Sequence, residues 1–230
     1  MKTNTKRLAL VAVVAAAIAG YTTTSAQAAT VNFTVSAGSA PDGTAVPVTG
    51  VTTGSAPQIH FTDTSTGVLE SCDSGTADGT VTPGSYSYDN SSATHVQVGS
   101  ISGPSATWTN CQGDGFNFTV TGAGTWSVNA ASGSASGVSG TISNVAISVT
   151  GSGILGVTCN FSVSGSVPAS YTNSDHTLHV TAGAGLHITS ASGICASLGM
   201  FNSGDSATFT GAYALTATPS ADNPVQITSP

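Results

Sequence analysis

Residues 178–188 read LHVTAGAGLHI. Two His-centred triplets flank a Gly/Ala stretch, and imidazole is the commonest protein ligand for transition metals. With Gly183 as the centre of a turn, the segment reads as a hairpin. His179 would then face His187 on the outer side, with Leu178, Val180, Leu186 and Ile188 pointing inward. His176 or Asp175 would supply a third ligand. His179 and His187 are therefore the candidate metal ligands, against the plainer reading that they form the wet side of a hairpin. Oxygen chemistry is suggested by Asp73, Asp78, Asp114 and Asp205, which lie in Gly-rich turns that suit calcium. Their spacing matches neither an EF-hand nor a nonapeptide repeat, and an Asp in such a turn commonly bonds its own backbone.

Catalytic chemistry has little to work with. Serine is abundant, but no G-x-S-x-G elbow occurs. Glu70 is the one glutamate, so the pair of carboxyl groups with split acidities that a glycosidase needs is not evident. The sequence nominates no catalytic residue and no cofactor. Trp108, Trp126, Tyr86, Tyr88, Tyr171 and Tyr213 are candidates for stacking on a sugar or an apolar ligand. Trp126 has core parity, whereas Tyr86, Tyr88 and Tyr171 lie in or beside turns and are expected at the surface.

Charge narrows the field further. The chain has three basic residues and ten acidic ones. Lys2, Lys6 and Arg7 precede an apolar run from Leu8 to Ala19 and an Ala26-Gln27-Ala28 cleavage pattern, so residues 1–28 read as a secretory signal peptide. The mature chain then keeps every carboxylate and has no Lys or Arg. Nucleic-acid binding, which needs cations to displace condensed counterions, is excluded. So are phosphate cradles and attraction to anionic lipid. No later stretch is long and apolar enough for a transmembrane helix.

What must position any site is β-structure. Thr and Val favour strands, and 28 Gly with 9 Pro supply turns. Residues 116–128 and 207–217 alternate as half-buried strands do, and residues 31–35, 59–61 and 161–163 are shorter strands of the same kind. The fold class is all-β. Four cysteines in an exported chain imply two disulfides, with three connectivities open.

Self-comparison selects among them. Residues 79–98 align with 165–180: Gly79 meets Gly165, and His95-Val96 meets His179-Val180. Cys111 then meets Cys195, VTGAGTW (120–126) meets FTGAYAL (209–215), and upstream Cys72 meets Cys159. The control for the histidine pair fails, because the mirror of His95 about Gly99 is Gly103. If the halves fold alike, the bonds are Cys72–Cys111 and Cys159–Cys195. Each closes a loop of nearly forty residues, worth about 4 kcal/mol by chain entropy. The expected architecture is two related antiparallel β-sandwich-like lobes, 29–134 and 135–230, or one merged sandwich. AASGSASGVSG (130–140) is the best linker, or else a weakly patterned strand.

The runs SGICASLGMFNSGDSATFTGAYALTA (192–217) and VTCNFSVSGSV (157–167), with the closing ITSP, resemble a group of small secreted actinobacterial β-rich proteins with four cysteines. That resemblance implies secretion and no established activity. A weaker likeness, confined to the C-terminal half, is to PraB-type alkane-oxidation activator proteins, and no ligand is carried over from it. The expectation is a secreted, extracellular or cell-surface, non-enzymatic protein with a structural or binding role. Its partner would be the cell envelope or a polysaccharide, or a second copy through edge strands that lack Lys. The alternatives are a channel-forming envelope β-barrel and a secreted hydrolase.

Overall fold

The computed structural model describes residues 30–89, 95–183 and 185–230. The predicted signal peptide, 1–28, lies outside them. The strands are β1 (Thr30–Ala37), β2 (Val46–Thr52), β3 (Ile59–Asp63), β4 (Leu69–Cys72), β5 (Ser74–Val81), β6 (Gly84–Asp89), β7 (Val96–Ser102), β8 (Thr107–Thr109), β9 (Cys111–Gly113), β10 (Phe116–Gly122), β11 (Thr125–Ser134), β12 (Gly137–Gly153), β13 (Thr158–Thr172), β14 (Thr177–Val180), β15 (Leu186–Gly193), β16 (Ser206–Ala217) and β17 (Val225–Thr228). A single turn of helix, α1 (Ile194–Ser197), interrupts them. Burial alternates along most strands, as in BeBiBeB for β2, so one face of each is apolar and the other carries Ser, Thr and Asn.

The fold is all-β, and its strand pairings are antiparallel. Two hydrogen-bonded circuits share long strands. The first runs β2–β5–β7–β11–β12–β13–β14–β16 and returns to β2. The second runs β3–β4–β9–β10–β12–β13–β15–β16 and returns to β3. Strands β12 and β13, 17 and 15 residues long, serve both. β12 pairs with β11 through 137–143 and with β10 through 147–153. A register shift between Ile142 and Val145, with Asn144 at φ 60°, marks the junction. A separate sheet, β17–β1–β6, packs beside the first circuit.

The halves 29–134 and 135–230 do not keep separate sheets. β2 and β3 pair with β16, and β10 and β11 pair with β12, so strand pairing crosses the boundary between the halves. Residues 130–140 are the β11–β12 hairpin and not a linker: Ala130 and Val138 are buried despite the Gly-rich surroundings. The disulfides are Cys72–Cys111 and Cys159–Cys195, as the internal symmetry predicts. Both are buried in the second circuit's end of the molecule, where Phe61, Phe118, Phe161 and Phe201 also cluster, the Phe161 and Phe201 rings 4.2 Å apart.

Candidate functional site

The first circuit is built from small residues. Val48 and Gly50 on β2, Ala77 and Gly79 on β5, Val98 and Gly99 on β7, and Ala130 on β11 face Val138, Gly140 and Ile142 on β12 and Ala169 on β13. Eight strands enclose more space than Val, Ala and Gly can fill. A cavity of about 100 Å³ remains, and every strand of the circuit contributes to its wall. Phe61, Phe118, Phe161 and Phe201 take up most of the equivalent space in the second circuit.

Two features close the cavity. On the side of the second circuit stand Trp108 and Phe209, edge to face at 79° with centroids 6.4 Å apart. Trp126 stacks on Trp108. On the other side Val225 and Ile227 of β17 join the wall, so the β17–β1–β6 sheet acts as a cover. Tyr171 holds that cover by donating its hydroxyl proton to the Val225 carbonyl at 2.7 Å. Asn173 holds it twice, its Nδ2 donating to the Ile227 carbonyl and its Oδ1 accepting from the Ile227 N–H, both at 2.9 Å.

Several polar side chains of the wall bond within the protein. Trp108 Nε1 donates to the Tyr213 hydroxyl at 3.2 Å, Asn129 Nδ2 donates to Ser143 Oγ at 2.9 Å, and the Thr80 and Ser100 hydroxyls pair at 2.9 Å. Burial pushes the Tyr213 phenol up to about 12, so it stays neutral. Among the described residues, no Asp, Glu or His lines the cavity. The site's chemistry is therefore apolar contact, without an acid, a base or a nucleophile aimed inward.

Glu70 lies beyond Trp108, in a small cavity of about 20 Å³ walled by Ile59, Phe61, Val120 and Val149. Its residue is 3% exposed, and burial alone raises its carboxyl to about 8. Glu70 also lies near Cys72 and Cys111, the one set of three metal-capable side chains within 4.8 Å among the described residues. Both sulfurs are committed to the disulfide. A second acid, Asp63, is fully buried at the end of β3, where its Oδ1 accepts from the Ser65 and Thr66 N–H groups. Its acidity is weakened first by burial and then by Asp205 beside it, whereas the Asn202 side chain and N–H hold Asp205 low.

His179 and His187, the expected metal ligands, do not face each other. β14 and β15 are not the arms of a hairpin: both run antiparallel to β13 and both pair with β16, one after the other. β14 and β15 therefore follow one another along β13 in the same direction. His179 stands opposite Ser170 of β13 and His187 opposite Ser164. Six residues of strand put about 20 Å between them, too far for one ion. The inward half of that reading holds, since Leu178, Val180, Leu186 and Ile188 are buried.

Other expected sites fare variously. Asp73 accepts from Asn110 Nδ2 and Asp78 from Thr49 Oγ1, so these turns use their carboxylates within the chain. Tyr171, expected at the surface, is 3% exposed because its ring packs inside the first circuit. Trp126 is buried as its parity requires. Tyr86 and Tyr88 are half-buried on β6, and their hydroxyls donate to the Thr82 and Ala131 carbonyls. The cavity has no motif in the sequence. Its signal was present in the Gly and Ala residues at inward positions, among them Gly50, Ala77, Ala130 and Ala169. No protein-family model, curated protein or solved structure matches the chain.

Proposed function

We propose that the chain is an exported, non-enzymatic β-protein that acts outside the cytoplasm by binding. The observation that carries this reading is the cavity of the first circuit, enclosed by eight strands and lined by apolar side chains. Natural interiors are close-packed, and voids of this size are few. Two disulfides and a leader-like N-terminus support an oxidising, extracellular setting. The Ser/Thr/Asn exterior, which carries carboxylates and no Lys or Arg after residue 28, supports solubility or loose contact with envelope polysaccharide in place of docking on anionic surfaces.

The polarity of the walls weighs against a membrane channel. Such a barrel has an apolar outer face and a polar lumen, whereas these strands bury Val, Phe and Tyr inward and turn Ser, Thr and Asn outward. The test is to express the chain with its own leader in an exporting host. Expected are a chain cut after Ala28 and carrying both disulfides, recovered outside the cytoplasm, that holds a non-covalent ligand by native mass spectrometry and leaves ester and glycoside substrates unchanged. An uncut cytoplasmic chain, substrate turnover, or conductance steps in planar bilayers would overturn it.

A further inference from the structure

We propose that the first circuit takes a compact, neutral, apolar molecule of single-ring size, held between the Trp108–Phe209 floor and the Val225–Ile227 cover. The proposal rests on the binding reading above and names the ligand class for the same site. Charge is ruled out of the cavity, because no wall residue is a cation, a carboxylate or an imidazole that could compensate a buried ion. Strongly polar ligands meet the same obstacle. The Asn129 amide, the Trp108 N–H and the Thr80–Ser100 hydroxyls already bond within the protein. The buried side-chain atoms without a partner, on Gln58, Asp63, Asn160 and His176, lie away from this wall.

A water molecule needs two to four polar partners to stay in a buried space, and this wall offers few. Apolar atoms facing a void forfeit dispersion contacts that an apolar guest restores. Size follows from the volume: an engineered apolar cavity of about 150 Å³ admits benzene or xenon, and this one measures about 100 Å³. Expansion to fit a ring is easiest toward β17, a four-residue strand at the edge of its own three-stranded sheet.

The test uses the mature chain, residues 29–230, with methyl-labelled Val, Leu and Ile. Benzene is titrated against it, with benzoate as the charged control. Expected are saturable shifts at Val98, Ile142, Val167 and Leu178, and none with benzoate. Ala130→Leu, which adds three carbons to the wall, weakens benzene about tenfold or more because it occupies the guest's space. Should that variant misfold, Val98→Leu fills less space and serves the same comparison. No saturable shift in the folded parent, equal binding of benzoate, or unchanged affinity in the filled variants overturns the proposal. An exported chain that carries a charged or polymeric ligand instead overturns the ligand class while leaving the binding reading intact. A chain that holds nothing overturns both.

Discussion

Replacing Glu70 by Gln is predicted to flatten the protein's stability between pH 5 and 8. Glu70 is 3% exposed, sits against Phe61 and the Cys72–Cys111 bridge, and has burial as the cause of its raised acidity. In the unfolded chain the carboxyl ionises near its ordinary value of 4.5, whereas in the folded protein it keeps its proton to about 8. Between those values the folded state binds more protons than the unfolded state, so stability falls as pH rises. The contribution is fully present below 4.5 and is lost as pH rises through about 8. At 1.36 kcal/mol per pH unit the whole window is worth roughly 5 kcal/mol, a large share of a typical domain's 5–15 kcal/mol. Gln has the same shape and cannot ionise. The variant is expected to lie within about 2 kcal/mol of the parent at pH 4.5 and to exceed it by roughly 3 kcal/mol or more at pH 8.5. Urea denaturation of both chains from pH 4 to 9 measures the difference, and subtracting the curves cancels other titrating groups. A difference that stays constant with pH, or a Glu70 carboxyl ¹³C signal that titrates near 4.5, would refute the reasoning.

Three further outcomes follow from the same packing. Gly140→Ala would place a Cβ 1.8 Å from the Asn129 carbonyl oxygen across the β11–β12 pairing, so a loss of about 3 kcal/mol or more is expected in denaturant melts. Removing the Cys159–Cys195 bond, which spans 36 residues, as a double Ser variant costs about 4 kcal/mol by loop entropy, read as a lowered denaturation midpoint. Asp63→Asn keeps an acceptor for the Ser65 and Thr66 N–H groups and offers Asp205 a donor. It is expected to match the parent at neutral pH, while Asp63→Ala loses about 2 kcal/mol or more; equal losses in both variants would contradict the assigned role.

Much of this architecture is legible in the residues. Alternation in 116–128 and 207–217 places Phe118, Trp126, Ala207 and Tyr213 inward, and they are buried. The order of Cys, His-Val and Thr-Gly-Ala in the two halves selects the disulfides that form. Closure of the circuits is not legible, because it depends on pairs such as Thr52 with Tyr213, far apart in the chain. The segment 178–188 shows the limit of local pattern. A Gly/Ala break between two alternating triplets suits a reversal and an interruption equally, and β13 decides between them by pairing with both sides. Glu70 has a usable signal: it shares strand parity with Cys72, and cysteine is among the most buried residue types, so the carboxyl points the same way.

On this reading the interior of the first circuit, and not its hydroxyl exterior, takes the ligand. Crystals of the mature chain under xenon gas test that most directly. Expected is a xenon site inside the circuit, against the apolar wall that includes Phe209, Ile142 and Val225. Ordered water threading that space, or xenon bound only outside the strands, would contradict it.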